Sequence, residues 1–132
     1  KGREEGNPLD RVQNVLDVRE LLMMQKTVED TYIHDAVYKY IAALVQKTRE
    51  NDLLALGVSP RGTIALTNMA KAAAYMAGRD YVIPDDVKRV FCDVTKHRML
   101  LSPKARIGRM TMDGVAGGIL AAVGAPRLQR KA

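Results

Sequence analysis

The stretch Gly57-Val58-Ser59-Pro60-Arg61-Gly62-Thr63-Ile64-Ala65-Leu66, running on through Met69-Ala70 and Ala73-Ala74-Tyr75-Met76 to Gly78, decides the fold. Ser59 supplies an N-cap oxygen, and Pro60 stands at the first helical position, where its missing N–H costs nothing. Ala65, Leu66, Met69, Ala70, Ala73, Ala74 and Met76 then form a wide apolar face, rich in alanine, that ends at Gly78. Such a face predicts a central helix packed closely against its neighbours. Thr63, Thr67, Lys71 and Tyr75, four residues apart, make its more polar stripe.

Working outward, further helices are predicted on both sides. Asp17-Val18-Arg19-Glu20 has the form of a capping box and opens a helix over about 18–28. Val37, Tyr40, Ile41, Leu44, Val45 and Thr48 share one face of a helix over about 35–50, with Asp35 in its first turn and Lys47 and Arg49 in its last. Pro84-Asp85-Asp86 starts another, with Val87, Val90, Phe91 and Val94 as its core face and Lys96, His97 and Arg98 at its end. Thr31–Ile33, Tyr81–Ile83 and Met99–Leu101 are short β-prone segments that could pair or simply end loops. Residues 1–16 are polar and aperiodic and read as a linker or arm. Residues 17–101 form the folded domain. Residues 102–132 are a basic extension, with a loop over 102–110 and a helix near 112–123 capped by Thr111. Gly114, Gly117 and Gly118 weaken that last helix by about 1 kcal/mol each relative to alanine. The fold class is all-α: a bundle of about five helices with at most a few very short strands.

Composition agrees. The 132 residues are 47% hydrophobic and 27% charged, the size and balance of one globular domain. There is no Trp and one Phe, so the core is aliphatic and suits helix packing. The net charge is +6, but residues 1–101 are near neutral. The excess sits in Lys104, Arg106, Arg109, Arg127, Arg130 and Lys131, against Asp113 alone. A uniformly basic nucleic-acid-binding domain is therefore not expected, and a small helical DNA-binding module stays only as an alternative. The longest apolar stretch, Gly114–Ala125 with Pro126, is too short to span a membrane, which needs about 20 residues. Cys92 is the one cysteine, which rules out an internal disulfide or a thiolate zinc site and fits a reducing, cytoplasmic setting. With no initiator Met and no apolar signal core, the chain reads as a piece of a longer protein.

Catalytic constellations are not visible. His34 and His97 are far apart and in no metal-binding spacing, so no autonomous triad or metal site is expected. Cys92, beside Val90, Phe91 and Val94, reads as an inert buried thiol. Gly57 and Gly62 have the glycine spacing of a phosphate-binding loop, but Thr63 stands where its lysine belongs and Pro60 removes an N–H, so this is not a Walker A motif. What survives is an anion preference: Arg61 in the first turn of a helix can bind phosphate oxygens with its guanidinium fork. An exposed or salt-bridged arginine in a capped helix is the plain alternative.

Ser59-Pro60-Arg61, Gly78-Arg79-Asp80-Tyr81-Val82, Pro84-Asp85-Asp86-Val87 and His97-Arg98, in this order and spacing, resemble the C-terminal lid domain of MoxR-type AAA+ ATPases. Tyr40-Ile41, Leu44-Val45 and Thr48-Arg49 fit the preceding lid helix. The likeness is close over about 32–101, weaker over 8–31 and vague after 102. It implies a helical lid beside an N-terminal nucleotide-binding core that holds Mg-ATP, and the chain itself carries no Walker, sensor 1 or arginine-finger element. By the same resemblance Arg61 is the sensor 2 residue at the ATP γ-phosphate, aimed by Ser59 and Pro60, and closure would serve chaperone-like remodelling or maturation of partner proteins. The resemblance also implies hexameric rings and von Willebrand A-type partners. Arg49, Arg79 and Arg98 fall on motif positions. Their structural reading (Arg79 with Asp80 fixing a turn, Arg98 paired with an acid) stands beside an intersubunit or nucleotide contact. Two details depart from or strain the pattern. Gly62 loosens the helix start, and Ile83 stands where the family has a capping Thr or Ser, a loss of about 0.5–2 kcal/mol.

Overall fold

A computed structural model describes residues 7–127. Residues 1–6 of the expected arm, and Arg130 and Lys131 of the basic extension, lie outside the described residues. Helices α1 (Val18–Glu29), α2 (Asp35–Arg49), α3 (Pro60–Met76), α4 (Pro84–Thr95), α5 (Pro103–Ile107) and α6 (Met112–Ala122) make up most of the fold. Strands β1 (Leu54–Leu56) and β2 (Leu100–Leu101) form one antiparallel pair, and 3-10 turns cover Pro8–Arg11 and Lys96–Arg98. The all-α bundle is as expected, with one helix more than expected. Residues 102–110, expected as a loop, contain α5. Ser102-Pro103 repeats the start signal of Ser59-Pro60, and the Ser102 hydroxyl accepts from the Ala105 N–H at 3.3 Å. The helix is too short to show a periodic face, which is why the loop reading prevailed.

Each start has a local cause. Asp17 and Glu20 close a reciprocal capping box on α1, at 2.7 and 2.8 Å. His34 caps α2, its Nδ1 accepting from the Ala36 N–H at 3.0 Å. Ile83 gives α4 no side-chain cap, as expected. Only the reverse half of a capping box exists: the Asp86 carboxylate accepts from the Ile83 N–H at 2.9 Å. That contact returns part of what the missing cap costs.

The extended segments sort into two places. Tyr32 and Tyr81 form a parallel bridge, with the Tyr32 N–H on the Asp80 carbonyl at 2.8 Å and the Val82 N–H on the Tyr32 carbonyl at 2.9 Å. Met99–Leu101 instead supplies β2, whose Leu101 and Leu100 face Leu54 and Leu56 across an irregular register. β1 itself lies in a stretch too short and too mixed to signal a strand.

Helix α3 is central. Leu66, Ala70 and Ala74 are fully buried, and the two alanines let α4 approach with Val87 and Phe91, also fully buried. From α2 come Val37, Ile41 and Leu44. Helix α6 adds Val115, Ala116 and Ile119 against α2 and α4, so packing continues past residue 101. Its glycines sit where a side chain is not needed: Gly117 and Gly118 are exposed. Packing of the opposite face offsets their low helix propensity. Among the described residues no helix is long and apolar enough to cross a membrane.

Candidate functional site

The start of α3 is held by residues of α2. Thr48 is fully buried at the end of α2. Its hydroxyl donates to the Val45 carbonyl at 2.6 Å and accepts from the Val58 N–H at 2.9 Å. Next to it, Arg49 Nε donates to the Val58 carbonyl at 2.9 Å. Both polar groups of the Val58 backbone are thus tied to α2, and the Val58 side chain is fully buried. Gly57 makes this approach possible. A Cβ there would lie 2.8 Å from the backbone of Thr48 and Arg49, closer than real Cβ atoms come.

From this anchor the chain enters the helix. The Ser59 hydroxyl accepts from the Gly62 N–H at 3.2 Å, and the Ser59 carbonyl accepts from the Thr63 N–H at 3.0 Å and from the Thr63 hydroxyl at 3.1 Å. Gly62 is buried against Val58, with room for no Cβ, since one would fall 2.7 Å from Val58 Cγ1. The small residue at 62 is therefore a packing requirement, and it does not stop α3 from starting at Pro60. Arg61 points out between these fixed points. It is exposed and makes no hydrogen bond or ion pair among the described residues. An open groove of about 410 Å³ runs between the later part of α2 and the first turns of α3, lined by Val45, Gln46, Arg49, Pro60, Thr63 and Ile64 but not by Arg61.

The other arginines divide. Arg79 is structural: its two terminal nitrogens grip Asp86 at 2.6 and 2.8 Å and one also donates to the Tyr81 carbonyl at 2.9 Å. Its partner acid is Asp86, seven residues on, while Asp80 contributes its carbonyl to the Tyr32 bridge. The Asp86 hydrogen bond, more than its charge, holds the Arg79 pKa above the ordinary arginine value. Arg49 is an anchor of the α3 start. Arg98 does not pair with an acid among the described residues. Its stem lies over Gly62, its Cδ 3.4 Å from where a Cβ would be, and its Nε is buried without a partner. The acid expected for it is not found among the described residues; Asp93 and Asp113 lie against Lys96 at 3.8 and 3.7 Å.

Cys92 is only half-buried. Burial, then the charges of Asp113 and Asp93, push its thiol pKa up against a smaller pull from Lys96. No group of His, Cys, Asp or Glu among the described residues could hold a metal ion. The only lysine of α3, Lys71, donates to the Glu29 carbonyl at 2.6 Å, so the helix presents no row of free cations of the kind a DNA-reading helix needs. Thr48 is the site residue whose importance the sequence conceals: it reads as one more position on the core face of α2, and only the Thr48-Arg49 pairing at a helix end hints at another role.

Comparison with known proteins points one way. Residues 46–114 match the model of the AAA lid domain family. An uncharacterised protein of Bacillus subtilis, YeaC, is 36% identical over 98% of this chain and 40% of its own length. The chaperone MoxR1 of Mycobacterium tuberculosis is 31% identical over 89% of this chain and 34% of its own. A crystal structure of a candidate ATPase from Cytophaga hutchinsonii superposes with a TM-score of 0.76 at 29% identity, covering 83% of this chain and 36% of that one. The chain thus spans two fifths or less of the length of these proteins. The match covers the anchored start of α3 and the Arg79–Asp86 turn together, and the chain belongs to the AAA lid domain family, as a lid of the MoxR type.

Proposed function

We propose that this lid closes over ATP held with Mg²⁺ in an N-terminal AAA+ core of the same protein, and that Arg61 is its sensor 2 residue, contacting the γ-phosphate. One observation carries the reading: an exposed arginine without a partner among the described residues, in the first turn of a helix whose start is tied to α2 through both polar groups of Val58. Fixing the helix start fixes where the Arg61 backbone sits relative to α2, so the guanidinium reaches out from a placed point, which lowers the cost of meeting a phosphate. With ATP bound, Arg61 has an anionic partner. After hydrolysis and release it loses one, and the lid is free to swing. Ser59 and Pro60 act on this by setting the helix start, with no contact of their own to the nucleotide. Likeness to a protein named as a chaperone supports extending the reading to chaperone-like remodelling or maturation of partner proteins. The motif resemblance to MoxR-type ATPases adds a hexameric ring, a cytoplasmic setting and von Willebrand A-type partners to the proposal.

The test uses the longer protein. Arg61→Ala should leave the fold intact and lower ATP turnover at least tenfold, and Arg61→Lys should recover little, because a point charge does not reproduce the fork. Turnover unchanged in Arg61→Ala, with a normal melting curve, refutes the sensor assignment.

A further inference from the structure

Three of the six basic residues after Ser102 gather on one short knob. Helix α5 and the turn after it expose Lys104, Arg106 and Arg109 around Ile107, which is 84% exposed, with Met110 beside it at 40%. None of the three cations has an ion pair among the described residues, and the nearby Asp113 is engaged by Lys96.

The knob is rigid. Ala105 is fully buried under it. The Ser102 N–H donates to the Leu53 carbonyl at 2.9 Å, and the Met110 N–H returns to the Ala105 carbonyl at 3.0 Å. Arg109 takes a positive φ of 53°, the one residue other than glycine among those described to do so. Gly108, which could adopt that conformation freely, stands one position earlier with a negative φ. A glycine would suit position 109 better, so the arginine is held there at some conformational cost.

We propose that this knob is a docking point for a protein partner that offers carboxylates around an apolar pocket: Ile107 enters the pocket and Lys104, Arg106 and Arg109 pair with the acids at its edge. An apolar centre ringed by arginines has the make-up of a protein contact. A nucleic acid would place phosphates against a bare isoleucine. Helix α5, five residues long, presents one fully exposed apolar side chain, too little to insert in a lipid surface. Because the knob is already ordered, docking needs no folding step. The inference is independent of nucleotide binding by Arg61.

The probe is a fluorescein-labelled helical peptide whose Leu stripe is flanked on both sides by Glu, titrated with the 132-residue chain and followed by anisotropy. Companion probes are the same peptide with Ser for Leu, a 20-base-pair DNA duplex, and vesicles containing phosphatidylserine. The Glu/Leu peptide should bind at least tenfold more tightly than the Glu/Ser peptide and than either other probe. Ile107→Ser and Arg106→Glu should each weaken it at least tenfold, and Arg109→Gly about threefold while leaving the melting temperature the same or higher. Since these side chains are exposed, circular dichroism should show each variant folded. Equal binding of the two peptides, tighter binding of DNA or vesicles, or an affinity unchanged by Ile107→Ser overturns the proposal.

Discussion

Thr48→Val removes one hydroxyl and keeps the shape of the side chain, so it isolates the anchor of the α3 start. The hydroxyl makes two bonds, at 2.6 Å to the Val45 carbonyl and 2.9 Å from the Val58 N–H. Losing the first costs little, because a helical carbonyl retains its place in the backbone ladder. Losing the second leaves the Val58 N–H buried without an acceptor, in a residue of zero exposure. An unsatisfied buried donor of this kind costs about 1–3 kcal/mol. For a chain of this length each kcal/mol corresponds to roughly 4 °C, so the melting temperature should fall by about 4–12 °C. Urea unfolding followed by circular dichroism gives the free energy, and Thr48→Ser, which keeps the hydroxyl, should recover most of it. A Thr48→Val loss below about 0.3 kcal/mol would mean that Val58 finds another acceptor and that the hydroxyl does not hold this loop.

Further outcomes are expected at other points. Asp86→Asn should cost about 2–3 kcal/mol in urea unfolding: breaking a buried pair costs about 3–5 kcal/mol, but Arg79 retains 22% exposure and can rehydrate; a loss under 1 kcal/mol would deny Asp86 its role in the turn. Tyr40→Phe removes a buried hydroxyl that has no partner among the described residues and should leave stability unchanged or raise it by about 1 kcal/mol; a loss of that size would show that the hydroxyl is bonded in solution. Burial raises the pKa values of both Tyr40 and Cys92, so the unfolded chain releases these protons first. Stability should therefore fall as pH rises through the alkaline range, and iodoacetamide should alkylate Cys92 more slowly in the folded chain than in urea at the same pH. Equal alkylation rates would show a thiol that feels no burial.

The bundle was legible because its long helices carry two signals that do not depend on the rest of the chain. Ser59-Pro60 and Pro84 mark starts by what proline lacks, and the periodic faces of α2, α3 and α4 then name their own buried residues. Arg61 was legible for the same reason, since first-turn position follows from the start signal alone. What stayed hidden are contacts between distant segments. The tie from Thr48 and Arg49 to Val58 crosses from one helix to the loop before another, and periodicity only marked Thr48 as buried. Of the two readings left open for Arg79, the turn fits, but its carboxylate partner is Asp86, seven residues away, and not Asp80. Helix α6 and its Thr111 cap were read from the sequence, but the surface beneath its apolar face, supplied by α2 and α4, was not.

Both ends of α3 are fastened, and this restricts how Arg61 can move. At the start, α2 holds Val58 by its N–H and its carbonyl. At the end, the Arg79–Asp86 pair ties the chain after Gly78 to the first turn of α4, and Ala70 and Ala74 leave no gap between α3 and α4 into which the helix could shift. Displacing Arg61 relative to α2 by even 1 Å would break the two bonds to Val58 together and open the contact at Gly57. The side chain of Arg61 can rotate, but its backbone must travel with the bundle. In the proposed function, closure on ATP is therefore a rotation of α2, α3 and α4 as one body, and the free energy that phosphate supplies to Arg61 acts on the whole domain. A variant that loosens only the start, Thr48→Val in the longer protein, should then weaken the dependence of closure on nucleotide more than it weakens nucleotide binding by the core. If it lowered both equally, Arg61 would be acting as a simple binding residue and the fastening of α3 would have no part in coupling.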